Sequence, residues 1–97
     1  MENEKLVEIS ELQKNIEGLL RLELELDEVA TNRLFDILDN IKNGYINTEY
    51  VPKILMKILF SIYNSMVSVK NHRKVEYPEP LFIATSRMAA YISDILK

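Results

Sequence analysis

The sequence contains no cysteine and no tryptophan, and it has only 2 glycines, 3 prolines and 1 histidine in 97 residues. Without cysteine the chain has neither a disulfide nor a thiolate ligand for a metal, so a domain of this size must be stabilised by packing. The scarcity of glycine and proline argues against a fold of many short strands, because such folds need frequent tight turns. We therefore expect one domain that spans residues 1–97.

The chain also lacks a hydrophobic run long enough to cross a membrane. Its most apolar stretch, VPKILMKILFSIYNSMVSV, is interrupted by Lys53, Lys57 and Asn64, whereas a spanning helix needs about 20 apolar residues. The first ten residues, MENEKLVEIS, have neither the basic nor the apolar segment of a secretory signal. We expect a cytoplasmic protein in which the apolar stretch is a core helix.

Charge is distributed unevenly along this chain of net charge −3. Residues 1–30 contain nine acidic and three basic residues, whereas residues 52–75 contain five basic residues and no acidic one. Two interpretations stay open. The two regions neutralise each other across the fold, or the basic segment meets an anionic partner or the cytoplasmic lipid surface.

Apolar residues recur at intervals of three and four, which is the period of an amphipathic helix. This pattern predicts four helices: from about Glu4 to the low twenties, over about Glu28 to Asn43, from a first turn containing Pro52 to VKNHRK, and from Pro80 to the chain end. Because the connectors are short, we predict an all-α fold, an antiparallel up-down-up-down four-helix bundle.

The helix boundaries have recognisable signals. Asp27 is placed to cap the second helix, and Gly44 is placed to end it in a left-handed conformation. Thr48 or Val51 precedes Pro52 as a candidate cap of the third helix.

The segment LLRLELELDEV alternates leucine with charge over Leu20 to Asp27, which is the period of a half-buried strand. Leucine and glutamate are strong helix formers, and no second strand is available for pairing, so we predict no strand here. We expect Leu22 to continue the buried stripe of the first helix and Leu20 and Leu24 to flank it. In the third helix, Ile54 and Phe60 are expected to widen the buried stripe.

The residue types that bind metals or catalyse reactions do not form a recognisable metal or catalytic motif. DNIKNGYINTEY has the glycine of a calcium loop, but Ile41 and Tyr50 stand where oxygen ligands are needed. His72 is the single histidine, and acid pairs such as Asp36 with Asp39 fit a solvated helix face. We predict no metal, no cofactor and no enzymatic activity. A sequence pI of about 5.2 without a basic recognition helix also argues against nucleic acid.

The order of these features resembles the immunity proteins of pediocin-like bacteriocins, specifically the enterocin A immunity family. The shared features are an acidic amphipathic first helix, the proline-started apolar helix VPKILMKILFSIYNSM, a polar connector and the final helix PLFIATSRMAAYISDIL. The resemblance implies a four-helix bundle that acts from the cytoplasmic side. It implies association with a mannose phosphotransferase type of membrane permease to which the bacteriocin is bound, with peripheral membrane contact as a further expectation.

In that family, bacteriocin recognition is attributed to the C-terminal half, which implies a role for the connection from Lys70 to Pro80 and for exposed positions of the last helix. The expected partner-binding residues are Lys70, His72, Arg73, Lys74, Tyr77 and Arg87. The acids expected to lie near this basic connection are Glu23, Glu25, Asp27 and Glu28. A different class stays open as the alternative: a helical interaction or regulatory module of phage or plasmid type that binds a host protein.

Overall fold

The computed structural model describes residues 3–45 and 51–96. The four helices are α1 (Asn3–Glu23), α2 (Glu28–Lys42), α3 (Lys53–Arg73) and α4 (Pro80–Leu96), and a short 3-10 turn, Asn43–Tyr45, follows α2. These described ranges contain no strand. The prediction of an all-α four-helix bundle is therefore confirmed, as is the rejection of a strand in LLRLELELDEV.

The helices pack in the cyclic order α1, α2, α4, α3. The packed pairs are α1 with α2, α1 with α3, α3 with α4 and α2 with α4, so α2 lies diagonally opposite α3. The end of α3 meets the start of α4, where Lys70 lies over the Phe82 ring. The ends of α2 and α4 meet where Tyr91 donates a hydrogen bond to Asp39. Consecutive helices are thus antiparallel, and the two pairs α1/α3 and α2/α4 are parallel neighbours.

One stripe of each helix is buried in a common core. The buried residues of α1 are Ile9, Ile16 and Leu20. The buried residues of α3 are Leu55, Ile58, Leu59, Ile62, Met66 and Val69. The predicted burial of Leu22 was wrong, because Leu22 is 80% exposed, whereas Leu20 is 1% exposed and belongs to the buried stripe. Two residues turn a helix by about 200°, so these two leucines must lie on opposite sides.

The predicted widening of the α3 stripe was also wrong. Ile54 is 53% exposed and Phe60 is 43% exposed. Among the described helices, α3 packs against α1 and α4 alone. Its remaining face therefore has no helix over it, and that face carries Phe60.

The predicted cap of α2 is confirmed, because the Asp27 side chain accepts a hydrogen bond from the backbone N–H of Ala30 at 3.0 Å. The left-handed ending at Gly44 was wrong. The capping residue after α2 is right-handed, and the chain continues directly into the 3-10 turn, so no left-handed glycine is needed. Within residues 3–45 and 51–96, the residues with positive φ are instead Leu24 and Lys74.

Pro52 was expected in the first turn of α3 and instead forms its extended N-cap, with φ −56° and ψ 128°. Pro80 is the first residue of α4, as predicted. The proposed cap Thr48 lies outside the described residues, as do the last five residues of DNIKNGYINTEY. The alternative cap, Val51, was wrong, because Pro52 is the N-cap.

Candidate functional site

Residues 70–80, here called the α3–α4 connector, begin with the last turn of α3, and hydrogen bonds hold the backbone there. Lys74 adopts a left-handed conformation with φ 56°. The N–H of Val75 donates to the carbonyl of Lys70 at 2.9 Å, and the N–H of Lys74 donates to the carbonyl of Asn71 at 3.3 Å. These two bonds form a Schellman motif, and buried Val75 anchors it to the core. The charged side chains around it are therefore presented from a defined backbone.

The Phe82 ring contacts two of the predicted partner-binding residues, Lys70 and Tyr77. The ammonium nitrogen of Lys70 lies 5.2 Å from the centre of the Phe82 ring. The Tyr77 ring meets the same ring edge-on at 6.1 Å, while 72% of Tyr77 stays exposed. Phe82 was not predicted, because nothing in the sequence indicates that this half-buried ring reaches back across the connector.

The charge of the connector is balanced locally. Arg73 forms an ion pair with Glu79 at 2.9 Å, and Glu79 belongs to the connector itself. None of the ion pairs among the described residues joins the connector to the acids of the α1–α2 turn that were expected to lie near it. His72 and Lys74 are exposed. Counting Glu76 and Glu79 against its three cations, the connector is only weakly basic.

Arg87 lies elsewhere, along the contact between α2 and α4. Its guanidinium carbon is 4.4 Å from the centre of the Phe35 ring, and it donates a hydrogen bond to the Tyr91 hydroxyl at 3.1 Å. The structure therefore separates Arg87 from the other five predicted residues. Arg87 is exposed, as expected, and its guanidinium also contacts the Phe35 ring of α2.

Tyr91 completes this contact. Its hydroxyl donates to Asp39 at 2.6 Å. Burial raises the pKa of Tyr91, and the hydrogen bond to Asp39 raises it further. The hydroxyl consequently keeps its proton and bridges Asp39 and Arg87.

A second candidate surface, an exposed apolar patch that the sequence allowed at Phe35, Phe60 or Phe82 and did not locate, lies at Phe60. An open groove of about 1560 Å³, here called the α3 groove, follows the uncovered face of α3. Its α3 residues include Lys53, Met56, Lys57, Phe60, Ser61 and Ser65. Neighbouring helices contribute Glu17 and Arg21 from α1 and Leu96 from α4.

The carboxylate of Glu17 is held at the wall of the α3 groove. It accepts hydrogen bonds from Ser65 at 2.8 Å, from Ser61 at 3.0 Å and 3.1 Å, and from Gln13 at 2.6 Å. Two serines four residues apart in α3 were the available signal. They share one helix face, and Glu17 of α1 lies against that face.

Neither a metal centre nor a membrane span was found in residues 3–45 and 51–96. No group of three His, Cys, Asp or Glu side chains there is arranged to hold a metal ion, and no helix in this part of the chain is long and apolar enough to cross a membrane. Comparison of the chain with family models, with curated proteins and with solved structures gave no match.

Proposed function

We propose that the protein is a bacteriocin immunity protein. It acts in the cytoplasm, where it binds a membrane receptor of the mannose phosphotransferase type once a pediocin-like bacteriocin has bound that receptor, and it keeps the resulting pore from killing the cell. The resemblance to the enterocin A immunity family motivates this function. The four-helix bundle agrees with the fold that the resemblance implies.

The observation that carries the proposal is the α3–α4 connector. It presents the side chains of Lys74, His72 and Tyr77 to solvent. The Schellman motif fixes the backbone that carries His72 and Lys74, and Tyr77 rests edge-on against the Phe82 ring. A preformed surface loses little conformational entropy when it binds. Cationic side chains near an anionic lipid surface contribute about 1 kcal/mol each, which suits a receptor that is embedded in a membrane.

A protection assay tests this function. The protein is expressed in a bacteriocin-sensitive strain, which is then exposed to a panel of purified pediocin-like bacteriocins while growth is measured. We expect protection against one or a few of them. The double variant Lys70→Glu/Lys74→Glu should weaken receptor binding by roughly 30-fold, because it removes two cations worth about 1 kcal/mol each, and protection should fall with it.

The matched control is Lys5→Glu/Lys14→Glu, which makes the same change of charge on α1. Circular dichroism and thermal unfolding establish that each variant is folded. Full protection by a folded connector variant would remove the connector from the contact surface. A lack of protection against every bacteriocin in the panel would contradict the immunity function itself.

A further inference from the structure

The α3 groove exposes apolar surface that the bundle does not use. Phe60 is 43% exposed and Leu96 is 54% exposed, and the half-buried Met56 also lines the groove. Exposed apolar residues that are scattered singly need no explanation, whereas apolar residues gathered in one groove mark a binding surface. The α3 groove is therefore a candidate binding surface.

The charge of the groove is opposite to that of the chain. Its cations are Arg21, Lys53 and Lys57, and its one carboxylate among the described lining residues is Glu17. The Glu17 oxygens already accept hydrogen bonds from Ser61 and Ser65. A chain of net charge −3 thus gathers an excess of positive charge around an apolar surface.

The cations lie at opposite ends of the groove. Lys53 and Lys57 belong to the first two turns of α3, and Arg21 belongs to the last turn of α1. Because α1 and α3 are parallel, Arg21 is level with the later turns of α3. At 1.5 Å per residue, the stretch of α3 from Lys53 to Val69 is about 24 Å long, which is the length of a helix of four to five turns.

From this geometry we propose that the α3 groove binds an amphipathic helix of a partner protein, with its apolar face against Phe60 and Met56 and with acidic residues near both of its ends. Laying one apolar helix face into a groove is a common mode of peptide recognition, and the pairing of acidic residues with the cations at both ends of the groove favours one register of the bound helix. This binding does not depend on bacteriocin immunity.

Two other occupants fit less well. A lipid surface is flat and cannot reach the serines and Glu17 inside a groove. A second copy of this chain could offer only its own α3 face, because the other apolar stripes of its described helices are buried in its core, and the cations of that face have the same sign as those of the groove.

Fluorescence anisotropy with a designed, labelled peptide tests the proposal. The peptide has about 18 residues, enough for a helix of about 27 Å, with leucines at intervals of three and four and glutamates near both ends. One comparison peptide replaces every glutamate by lysine, and another has the same composition in an order without an apolar face. We expect binding of the glutamate peptide and at least tenfold weaker binding of the other two.

Two groove variants and one control locate the binding. Lys53→Glu/Lys57→Glu and Phe60→Ser should each weaken binding of the glutamate peptide by tenfold or more, whereas Lys70→Glu/Lys74→Glu should leave it unchanged. Both lysines are exposed, and an acid at position 53 is favourable to the α3 dipole, so the charge variant is expected to fold. Circular dichroism checks this for each variant.

Four results would overturn the proposal. The first three are a glutamate peptide that does not bind, a lysine peptide that binds equally well, and a folded groove variant with unchanged affinity for the glutamate peptide. The fourth is binding of a lipid surface or a second copy of the chain in the α3 groove. The last is measured by flotation with phosphatidylglycerol vesicles and by sedimentation equilibrium. Vesicle binding without peptide binding, or a dimer that excludes the peptide, would assign the groove to lipid or to a second copy.

Discussion

Arg33 of α2 holds Glu8 of α1 through two hydrogen bonds, with Nε 2.7 Å from Oε2 and a terminal nitrogen 3.1 Å from Oε1. The hydrogen bond from Arg33 lowers the pKa of Glu8, and the positive charge of Arg33 lowers it as well. The pair is exposed, so solvent screens it and its contribution to stability is modest. Its effect should nevertheless be visible as a dependence on pH.

The first prediction concerns Glu8→Gln. A carboxylate whose pKa is lowered by folding contributes stability that is fully present above its unfolded pKa and is lost as the pH falls through the lowered folded pKa. The variant should therefore be less stable than the parent protein at pH 7. The difference should shrink as the pH falls below the ordinary Glu value of 4.5 and disappear below the lowered pKa of Glu8 in the folded protein.

Thermal unfolding between neutral and strongly acidic pH measures this difference. Glu11→Gln is the matched control, because Glu11 contacts only the exposed Lys14 of its own helix at 3.5 Å in a screened ion pair. It should follow the parent protein closely over the whole range. A constant difference between Glu8→Gln and the parent at every pH would contradict the role given to the ion pair.

The second prediction separates packing from binding at Arg87. Arg87→Ala removes the cation over Phe35 and the hydrogen bond to Tyr91. A cation over an aromatic ring contributes about 0.5 to 1 kcal/mol at an exposed site, so the melting temperature should fall by several degrees. Calorimetry checks this. An unchanged melting temperature would mean that the contacts of Arg87 do not stabilise the fold, and Arg87 would then remain a candidate for binding a partner.

The four helices could be predicted from the sequence, but which helix packs against which could not. The period of three and four is visible in Leu55, Leu59 and Ile62, because each buried stripe is a local property of one helix. Which helices lie side by side depends on tertiary packing, and no local pattern encodes it. The exposure of Phe60 and the contact of Glu17 with the α3 serines follow from the cyclic order, so both were missed.

The left-handed residues illustrate the same limit. Gly44 has the residue type that favours a left-handed cap and does not adopt one, whereas Lys74 adopts it although its side chain disfavours it. The Schellman bonds and the burial of Val75 determine the ending of α3. These are consequences of how the connector packs against the core.

The third prediction follows from Lys74. A non-glycine residue in the left-handed region costs about 1 to 2 kcal/mol, and this side chain is exposed, so Lys74→Gly should stabilise the protein by about 1 kcal/mol and raise the melting temperature by about 4 to 8 °C. The matched control is Lys70→Gly inside α3, which should destabilise by about 1 kcal/mol. A loss of stability in Lys74→Gly would show that the left-handed conformation carries no strain.

The last prediction compares the two buried threonines, Thr31 at 1% and Thr85 at 4% exposure. The Thr85 hydroxyl donates to the carbonyl of Leu81 at 2.7 Å, whereas the Thr31 hydroxyl has no hydrogen-bond partner in the described part of the chain. An unpaired buried hydroxyl costs about 1 to 3 kcal/mol. Valine has the same shape without that cost, so Thr31→Val should increase the free energy of unfolding by about 1 kcal/mol, and Thr85→Val should decrease it by about 1 kcal/mol.

Urea unfolding of the two variants measures both changes against the parent protein. The substitution is the same in each, and both sites lie within helices, so differences in helix propensity and in the unfolded chain cancel. An opposite sign at the two sites is the expected result. Equal losses would mean that the Thr31 hydroxyl is satisfied in solution by a bound water, and the small cavity that Thr31 shares with Phe35 and Ala84 would then be hydrated.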